Sequence, residues 1–364
     1  MLNRLRMART RNGIHKMTQT DLRKEDAAGE DIEIGFFRPE DAEGIVALFR
    51  SVYGEGYPVR LFYDPAALTA ANEAGQYYSL VARTGSATVV AVENLFRSAP
   101  CKSLYEIGAG LVLKEYRNQG LTKQLFRFVF EDWVPSQAGI EELWGEPVCN
   151  HLHMQRTVGQ FKHIEYALEV ALMPAAAYEK EKSAPGRVAA LSVFRCYKPR
   201  PHRVYLPKAY EQELRFLYSA MNDKREILLS EENLPAAMQC RGETTVFDFA
   251  SVGRVAVHAI GGDFHDYVRE LETTTLNKGV SVIQMWLDLG SPCVGAAVDI
   301  LRKQGYFLGG LLPRWFDSDG FLMQKVLMDP DFDSIQLYSD RSKHIFAMVK
   351  EDWLRTQTGT CGKR

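Results

Sequence analysis

The segment 117–122 is the part of this chain whose residue types and spacing point most directly to chemistry. An apolar run before it predicts a strand, and the residues after it predict a helix with one apolar face, formed by Leu121, Leu125, Phe128 and Val129. The first N–H groups of a helix have no partner within the helix, and the helix dipole favours an anion there. Gly120 lets the backbone approach a ligand closely, and Arg117 adds a positive charge. These features predict a phosphate-binding turn.

This segment resembles the acetyl-CoA signature of the GNAT acetyltransferase superfamily. In that signature a hydrophobic strand is followed by a Gln/Arg-x-x-Gly-x-Gly/Ala loop, and here Thr122 stands where Gly or Ala is usual. The resemblance implies that acetyl-CoA, or another acyl-CoA, is a co-substrate. It implies that the strand binds pantetheine through Gly110, Leu111 and Val112, and that the loop binds pyrophosphate through Arg117, Asn118, Gln119, Gly120, Leu121 and Thr122. The hydroxyl of Thr122 either caps the helix or binds phosphate, or else its bulk narrows the loop.

Two side chains beyond the loop are candidates for proton transfer. The resemblance places Glu146 where several GNAT enzymes carry a catalytic glutamate, and a position between Trp144 and Pro147 would desolvate its carboxylate and raise its pKa. The alternative is an ordinary solvated or salt-bridged glutamate at a strand end. His151 either relays a proton near neutral pH, or caps the next helix or touches the diphosphate. Many GNAT enzymes protonate the thiolate with a tyrosine on that helix, but residues 150–163 contain none, so the sequence identifies no general acid.

The loop between the first two predicted helices carries the candidate acceptor-binding residues. In GNAT proteins this loop borders the acceptor site, where aromatic rings would enclose an acceptor and an arginine would hold a carboxylate. The residues are Tyr53, Tyr57, Arg60 and Tyr63. The equally weighted alternative is that they pack the loop onto the sheet. They do not identify the acceptor, which we expect to be a small-molecule or peptide amine.

Hydrophobic periodicity predicts the elements that position these candidates. Strands are predicted at 32–37, 78–83, 87–96, 105–113, 141–148 and 164–172, and helices from 38, at 65–74, from 121 to about 135 and at 150–161. This succession resembles the GNAT order, so the resemblance extends over residues 32–175 rather than one motif.

The second half of the chain repeats part of this pattern without the phosphate loop. A hairpin is predicted at 244–250 and 252–260, followed by a helix after Gly262, a strand at 280–287, a helix at 291–303, a strand after the segment 304–310, and final strands at 321–327 and 344–349. We therefore expect an α/β (α+β) fold of two tandem GNAT-like domains, each a mixed, mostly antiparallel twisted sheet flanked by helices. The expected divisions are a disordered tail over 1–30, the CoA-binding domain over 31–180, a degenerate domain over 181–355 and a C-terminal tail over 356–364.

Composition excludes several classes of function. The net charge of −2 gives no electrostatic reason to expect nucleic acid binding, and no apolar run is long enough to span a membrane. The basic start is not followed by the apolar core of a secretory signal, and the six scattered cysteines predict reduced thiols in a cytoplasmic protein without a metal site.

Two hypotheses for the function follow from the sequence. The first is an acyl-CoA-dependent N-acyltransferase that transfers the acyl group directly to an amine in a ternary complex, with the second half shaping the acceptor cleft or a homodimer interface. The second is a non-catalytic sensor or interaction protein that keeps the fold, with or without the CoA site.

Overall fold

A computed structural model describes residues 22–25, 31–174 and 186–358. Its strands are β1 (Leu22–Glu25), β2 (Asp31–Phe36), β3 (Tyr77–Thr84), β4 (Val89–Phe96), β5 (Leu104–Val112), β6 (Glu142–Gly145), β7 (Ile164–Met173), β8 (Val188–Cys196), β9 (His202–Leu206), β10 (Arg225–Leu229), β11 (Arg241–Phe247), β12 (Val252–Ala259), β13 (Val282–Asp288), β14 (Phe307–Leu312) and β15 (Gly320–Val326). Its α-helices are α1 (Ala42–Tyr53), α2 (Pro65–Glu73), α3 (Leu121–Arg127), α4 (His153–Gln160), α5 (Glu211–Tyr218), α6 (Phe264–Leu276), α7 (Val294–Lys303) and α8 (Asp340–Thr358).

Thirteen of the described strands form one continuous sheet. Their order is β1-β2-β3-β4-β5-β6-β8-β7-β14-β15-β13-β12-β11, and β9 and β10 form a separate parallel pair. Within the large sheet only two neighbouring pairs are parallel, β5 with β6 and β12 with β13. The sheet is therefore mixed and mostly antiparallel, with helices around it, which confirms the predicted fold class.

The strand order repeats on the two sides of the β7–β14 contact. Moving outward from β7, the sheet contains β8, β6, β5 and β4, and moving outward from β14 it contains β15, β13, β12 and β11. On each side, the strand that comes last in the chain, β8 or β15, lies between two strands that precede it in the chain. The parallel pair, β6 with β5 or β13 with β12, follows further out in the sheet. The same β-strand topology thus occurs twice in one sheet.

The contact between the two halves is made by a close backbone approach and a bridging side chain. Gly310 on β14 lies opposite Ala167 on β7, has a φ of 140°, and leaves no room for a Cβ beside the carbonyl of Tyr166. The Gln324 amide nitrogen donates to the carbonyls of Leu168 at 2.9 Å and Leu308 at 3.1 Å. Its oxygen accepts from the N–H of Val170 at 2.9 Å. The side chain of this buried glutamine therefore makes hydrogen bonds that backbone pairing between the two halves would otherwise make.

Strand β8 belongs to the sheet of the first half although it follows residue 180. It pairs antiparallel with β6 on one side and β7 on the other. The first half of the sheet consequently extends to Cys196.

Three further segments differ from the sequence expectations. The strand predicted at 344–349 is wrong, because this stretch lies inside α8, where Ser342, Ile345 and Val349 are the buried positions at helical spacing. That helix runs to Thr358, past residue 356, where the tail was expected to begin. Leu22–Glu25 forms a strand that pairs with β2, within the segment for which we predicted disorder. The rest of 1–30 lies outside the described residues.

The helix after the predicted phosphate turn buries the face that the sequence indicated. Leu121, Leu125 and Val129 are each at most 2% exposed. The helix changes from α to π geometry at Phe128 and continues in that form to Trp133. None of the helices in the described part of the chain is both long enough and apolar enough to cross a lipid bilayer.

Candidate active site

The segment 117–122 connects the end of β5 to α3 through a tight turn that is open on one side. Asn118 and Gly120 have φ values of 66° and 80°, and Gly120 is the N-cap of α3. A Cβ placed on Gly120 would have no heavy atom within 4 Å, so the backbone there faces open space. The N–H groups of Leu121, Thr122 and Lys123 have no acceptor within the helix and share the positive end of its dipole. These groups suit an anionic ligand.

The side chains of the turn fold back onto the chain rather than covering this opening. The Nε of Arg117 donates to the carbonyl of Val112 at 3.2 Å, and the Nε2 of Gln119 donates to the carbonyl of Glu115 at 3.1 Å. Thr122 is half-buried in the first turn of the helix. The backbone groups of the turn therefore remain accessible.

Strand β5 separates from β6 directly before this turn. The two strands pair in parallel only from Leu104 to Glu106, opposite Glu142 to Trp144, whereas β5 continues to Val112. The predicted pantetheine-binding residues Gly110, Leu111 and Val112 lie on this continuation, which pairs with β4 on its other side. A gap thus opens between the parallel strands at the point where an extended ligand would lie along β5.

Two carboxyl groups stand at this gap on the neighbouring strands. Glu106 is the last residue of β5 that pairs with β6, and Glu146 follows directly after the end of β6. Burial raises the pKa of Glu106 to about 7, although a hydrogen bond with Ser98 opposes the shift. Burial raises the pKa of Glu146 to about 8, with the charges of Glu169 and Glu106 adding to the shift and Arg254 opposing it. Both carboxyls can therefore exchange a proton near neutral pH.

A third carboxyl group lies on the face of β5 beside the predicted pantetheine-binding residues. The side chain of Glu93, on β4, occupies the space where a Cβ on Gly110 would lie. Glu93 is only 4% exposed, and burial raises its pKa well above the usual range. The glycine at 110 is thus required for this carboxyl to reach β5.

Glu146 is not solvated but paired with an arginine from the second half of the chain. The Nη2 of Arg254, on β12, donates to Glu146 at 2.5 Å and to Glu169 at 3.0 Å. The sequence left open whether Glu146 is a base or a salt-bridged residue. It is salt-bridged, and it also has the raised pKa that its apolar neighbours predicted.

One predicted residue of the tyrosine-rich loop interacts electrostatically with the buried carboxyls of β4 and β5. Tyr57 interacts electrostatically with both Glu106 and Glu93, and burial raises its pKa well above the usual range. Its ring lies 4.9 Å from that of Tyr53, and its N–H donates to the hydroxyl of Tyr63 at 2.8 Å. Arg60 is exposed and donates to the carbonyl of Glu55 at 3.3 Å. The loop therefore packs as an aromatic cluster, with Tyr57 as its member next to the carboxyls.

The remaining candidate, His151, lies outside the helix that it was expected to begin. Helix α4 begins at His153, and His151 is exposed, with its carbonyl accepting from the side chain of Gln155 at 3.2 Å. Its role as a proton relay stays a prediction.

Sequence reasoning did not select Glu106 or Glu93. A signal was present, because each is a single acidic residue within an otherwise apolar strand, in the runs Val-Val-Ala-Val-Glu-Asn-Leu-Phe and Leu-Tyr-Glu-Ile-Gly. A charge at such a position is buried unless the strand is at an edge, and buried carboxyls cluster at functional sites.

The corresponding turn of the second half is closed by its own chain. A Cβ on Gly261 would lie 2.5 Å from the carbonyl oxygen of Met238, and the N–H of Gly262 donates to that same oxygen at 3.0 Å. Asp263, the N-cap of α6, accepts from the N–H of Cys240 at 2.8 Å. The segment before β11 therefore occupies the helix N-terminus where the first half has an opening. Within the described residues, no group of His, Cys, Asp and Glu side chains is arranged to hold a metal ion.

Comparison with known proteins gives similarity in fold alone. No protein-family model matches the chain, and no curated protein matches its sequence. Matching solved structures include the ribosomal-protein-S5-alanine acetyltransferase of Vibrio fischeri, at 10% identity and a TM-score of 0.39, over 50% of this chain and 100% of that one. The spermidine/spermine N-acetyltransferase of Vibrio cholerae matches at 8% identity and a TM-score of 0.36, over 46% and 95%. An N-acetyltransferase of Staphylococcus aureus matches at 12% identity and a TM-score of 0.38, over 46% and 99%.

All three matched proteins are acetyltransferases, and each match covers about half of this chain.

Proposed function

We propose that this protein is an acyl-CoA-dependent N-acyltransferase whose reaction takes place in the gap between β5 and β6. The observation that carries the proposal is the coincidence of an open helix N-terminus, a strand end without a neighbour on the β6 side, and two titratable carboxyls at the same gap. An extended thioester carrying a diphosphate needs the first two features, and transfer to an amine needs the third.

In this proposal, different residues of the first half bind the diphosphate, align the pantetheine chain and accept the proton. The turn over 117–122 holds the pyrophosphate, and the free edge of β5 aligns the pantetheine chain through Gly110, Leu111 and Val112. Glu106 accepts the proton that the amine loses as the amide bond forms, and the C–S bond of the thioester breaks to release CoA as its thiolate. The acceptor is an amine that enters beside Tyr57, and the acyl donor is acetyl-CoA or a longer acyl-CoA.

The repeated strand order supports the interpretation of the chain as two tandem GNAT-like units. The first unit reaches Cys196, because β8 completes its sheet. The second unit has lost its open turn, since the segment around Met238 fills that place. The first unit alone then carries the acyl-CoA site.

A second candidate function is a non-catalytic sensor that binds CoA. It is favoured by the ion pair that engages Glu146, the base that the sequence selected. Both functions include CoA binding, so only a measurement of turnover distinguishes them.

Acetyl transfer is tested by incubating the full chain with acetyl-CoA and a panel of amines and detecting the acylated product by mass. Mass detection is preferable to a thiol reagent, because the exposed thiol of Cys196 would react with such a reagent. We expect Glu106→Gln to lower kcat by about 10²–10⁴-fold, which is the usual contribution of general base catalysis, with the acetyl-CoA affinity changed less than about threefold. The matched control is Glu43→Gln, an exposed residue of α1, which should leave turnover unchanged. Acetyl-CoA binding without turnover on any amine would favour the sensor.

A further inference from the structure

We propose that Arg254 is a positioning residue by which the second half of the chain completes the active site of the first half. This inference rests on the proposed acyl transfer. It deepens that proposal by assigning a task to the half that lacks an open CoA turn.

The internal repeat places Arg254 at the position that corresponds to Glu106. In the first parallel pair, the third residue of β5, Glu106, lies opposite Trp144 of β6. In the second pair, the third residue of β12, Arg254, lies opposite Gln284 of β13. Two residues further along each partner strand stand Glu146 and Trp286. The second half therefore carries a cation where the first half carries its carboxyl.

This arginine points out of its own half and into the other. Its Nη2 donates to Glu146 and to Glu169, and its Nε donates to the side chain of Gln284 at 2.7 Å. The guanidinium carbon lies 5.5 Å from the ring centres of both Phe247 and Trp286. The side chain is only 13% exposed, so its direction is fixed by these contacts. An arginine suits this role because its guanidinium carries several donors in a fixed plane, so that Nη2 reaches both carboxylates while Nε holds Gln284.

Glu169, the other carboxyl that accepts a hydrogen bond from Arg254, has further hydrogen-bond partners. Glu169 accepts from Ser192 at 2.8 Å and from the amide of Gln284 at 2.7 Å, in addition to Arg254. Glu146, in contrast, has Arg254 as its hydrogen-bonding side chain, and its own side chain is 22% exposed. Glu169 thus anchors the arginine, and the arginine holds Glu146.

Carboxyl groups outnumber guanidinium groups at this junction, and this determines how Arg254 affects the protonation of the proposed base. Glu146, after β6, and Glu169, on β7, contact one guanidinium from β12, and the charge of that guanidinium also acts on Glu106 of β5. Gln284 on β13 and Ser192 on β8 add no charge, and Glu106 also interacts electrostatically with Tyr57 and Tyr77. The guanidinium favours the ionised form of both Glu106 and Glu146. Without it, both carboxyls would hold their protons to a higher pH.

The test is the pH profile of kcat for Arg254→Gln and Arg254→Lys, with the affinity for acetyl-CoA measured beside it by calorimetry. The charge of Arg254 lowers the pKa of Glu106, the proposed base, so we expect Arg254→Gln to move the acid limb of the profile upward. At a pH below both limbs, kcat then falls by about tenfold for each unit that the limb moves, while the acetyl-CoA Kd changes less than about threefold. Arg254→Lys keeps the charge but not the fork, so its limb should lie between those of the wild type and the glutamine variant.

The matched control is Arg302→Gln, which breaks another ion pair of the second half, with Asp352, and should leave the limb in place. Turnover by Arg254→Gln with a wild-type pH profile would overturn the inference and leave the acyl transfer standing. Binding of acetyl-CoA by the wild type without turnover on any amine would overturn both. A limb that moves equally in Arg302→Gln would assign the effect to general destabilisation of the second half and would also overturn the inference.

Discussion

Substitution of Gly120 separates the shape of the predicted pyrophosphate site from its charge. The residue has a φ of 80° and open space at its Cβ position, so alanine, glutamine and glutamate all fit without a clash and share the same backbone cost. That cost is about 1–2 kcal/mol of folding stability for any residue with a Cβ. The comparison of Gly120→Glu with Gly120→Gln therefore isolates one negative charge on side chains of nearly equal size.

The size of the charge effect follows from Coulomb's law. A carboxylate about 6 Å from a diphosphate of charge about −2 is repelled by about 1.4 kcal/mol even at the dielectric constant of water, which is about tenfold in Kd. Calorimetric titration with acetyl-CoA should therefore show Gly120→Glu binding at least about tenfold more weakly than Gly120→Gln. Because the site is open, the ratio should shrink as the ionic strength is raised from about 0.05 M to about 0.5 M.

Two results would refute this reasoning. Equal affinities of the glutamate and glutamine variants at low salt would mean that the phosphates lie elsewhere. A ratio that does not respond to salt would mean that the difference comes from altered structure rather than from charge. Gly120→Ala is the control for the backbone, and we expect its acetyl-CoA affinity to stay closest to that of the wild type.

Two further predictions concern the fold that supports the site. Gly310→Ala should destabilise the contact between the two halves by about 2–4 kcal/mol, because the residue has a φ of 140° and an added Cβ would lie 2.6 Å from the Cα of Ala167; an unchanged urea midpoint would contradict the close approach of β14 to β7. Burial lowers the pKa of His163 to about 3, so the unfolded chain binds the extra proton below its own pKa of about 6.5. The stability that the neutral ring supports is complete above that pH and is lost as the pH falls, by about 2 kcal/mol at about pH 5. His163→Leu should therefore make the urea midpoint depend less on pH between about pH 5 and 7, whereas substitution of the exposed His153 should not.

The sequence was most informative where a local pattern has a single physical meaning. The turn at 117–122 could be predicted because a strand, a glycine and an amphipathic helix in succession leave N–H groups unpaired, whatever else surrounds them. The raised pKa of Glu146 could be predicted from its apolar neighbours in the chain. The error at 344–349 has the opposite cause, because a short apolar run fits a strand and a helix equally well, and the packing of Ile345 and Val349 decides between them.

What only the tertiary structure decided are the contacts between residues far apart in the chain. Nothing local to Glu146 indicates that its partner is Arg254, 108 positions away, since that pairing exists only because β7 and β14 join two sheets into one. The position of β8 between β6 and β7 has the same origin, as strand order is set by pairing across the sheet and not by succession in the chain. The sequence determined most of the local elements and the position of the glycine turn that begins α3, because these depend on backbone geometry within a few residues. The partners of each buried charge depended on the whole fold, because a charge removed from water must find its counterpart wherever the packed chain brings one.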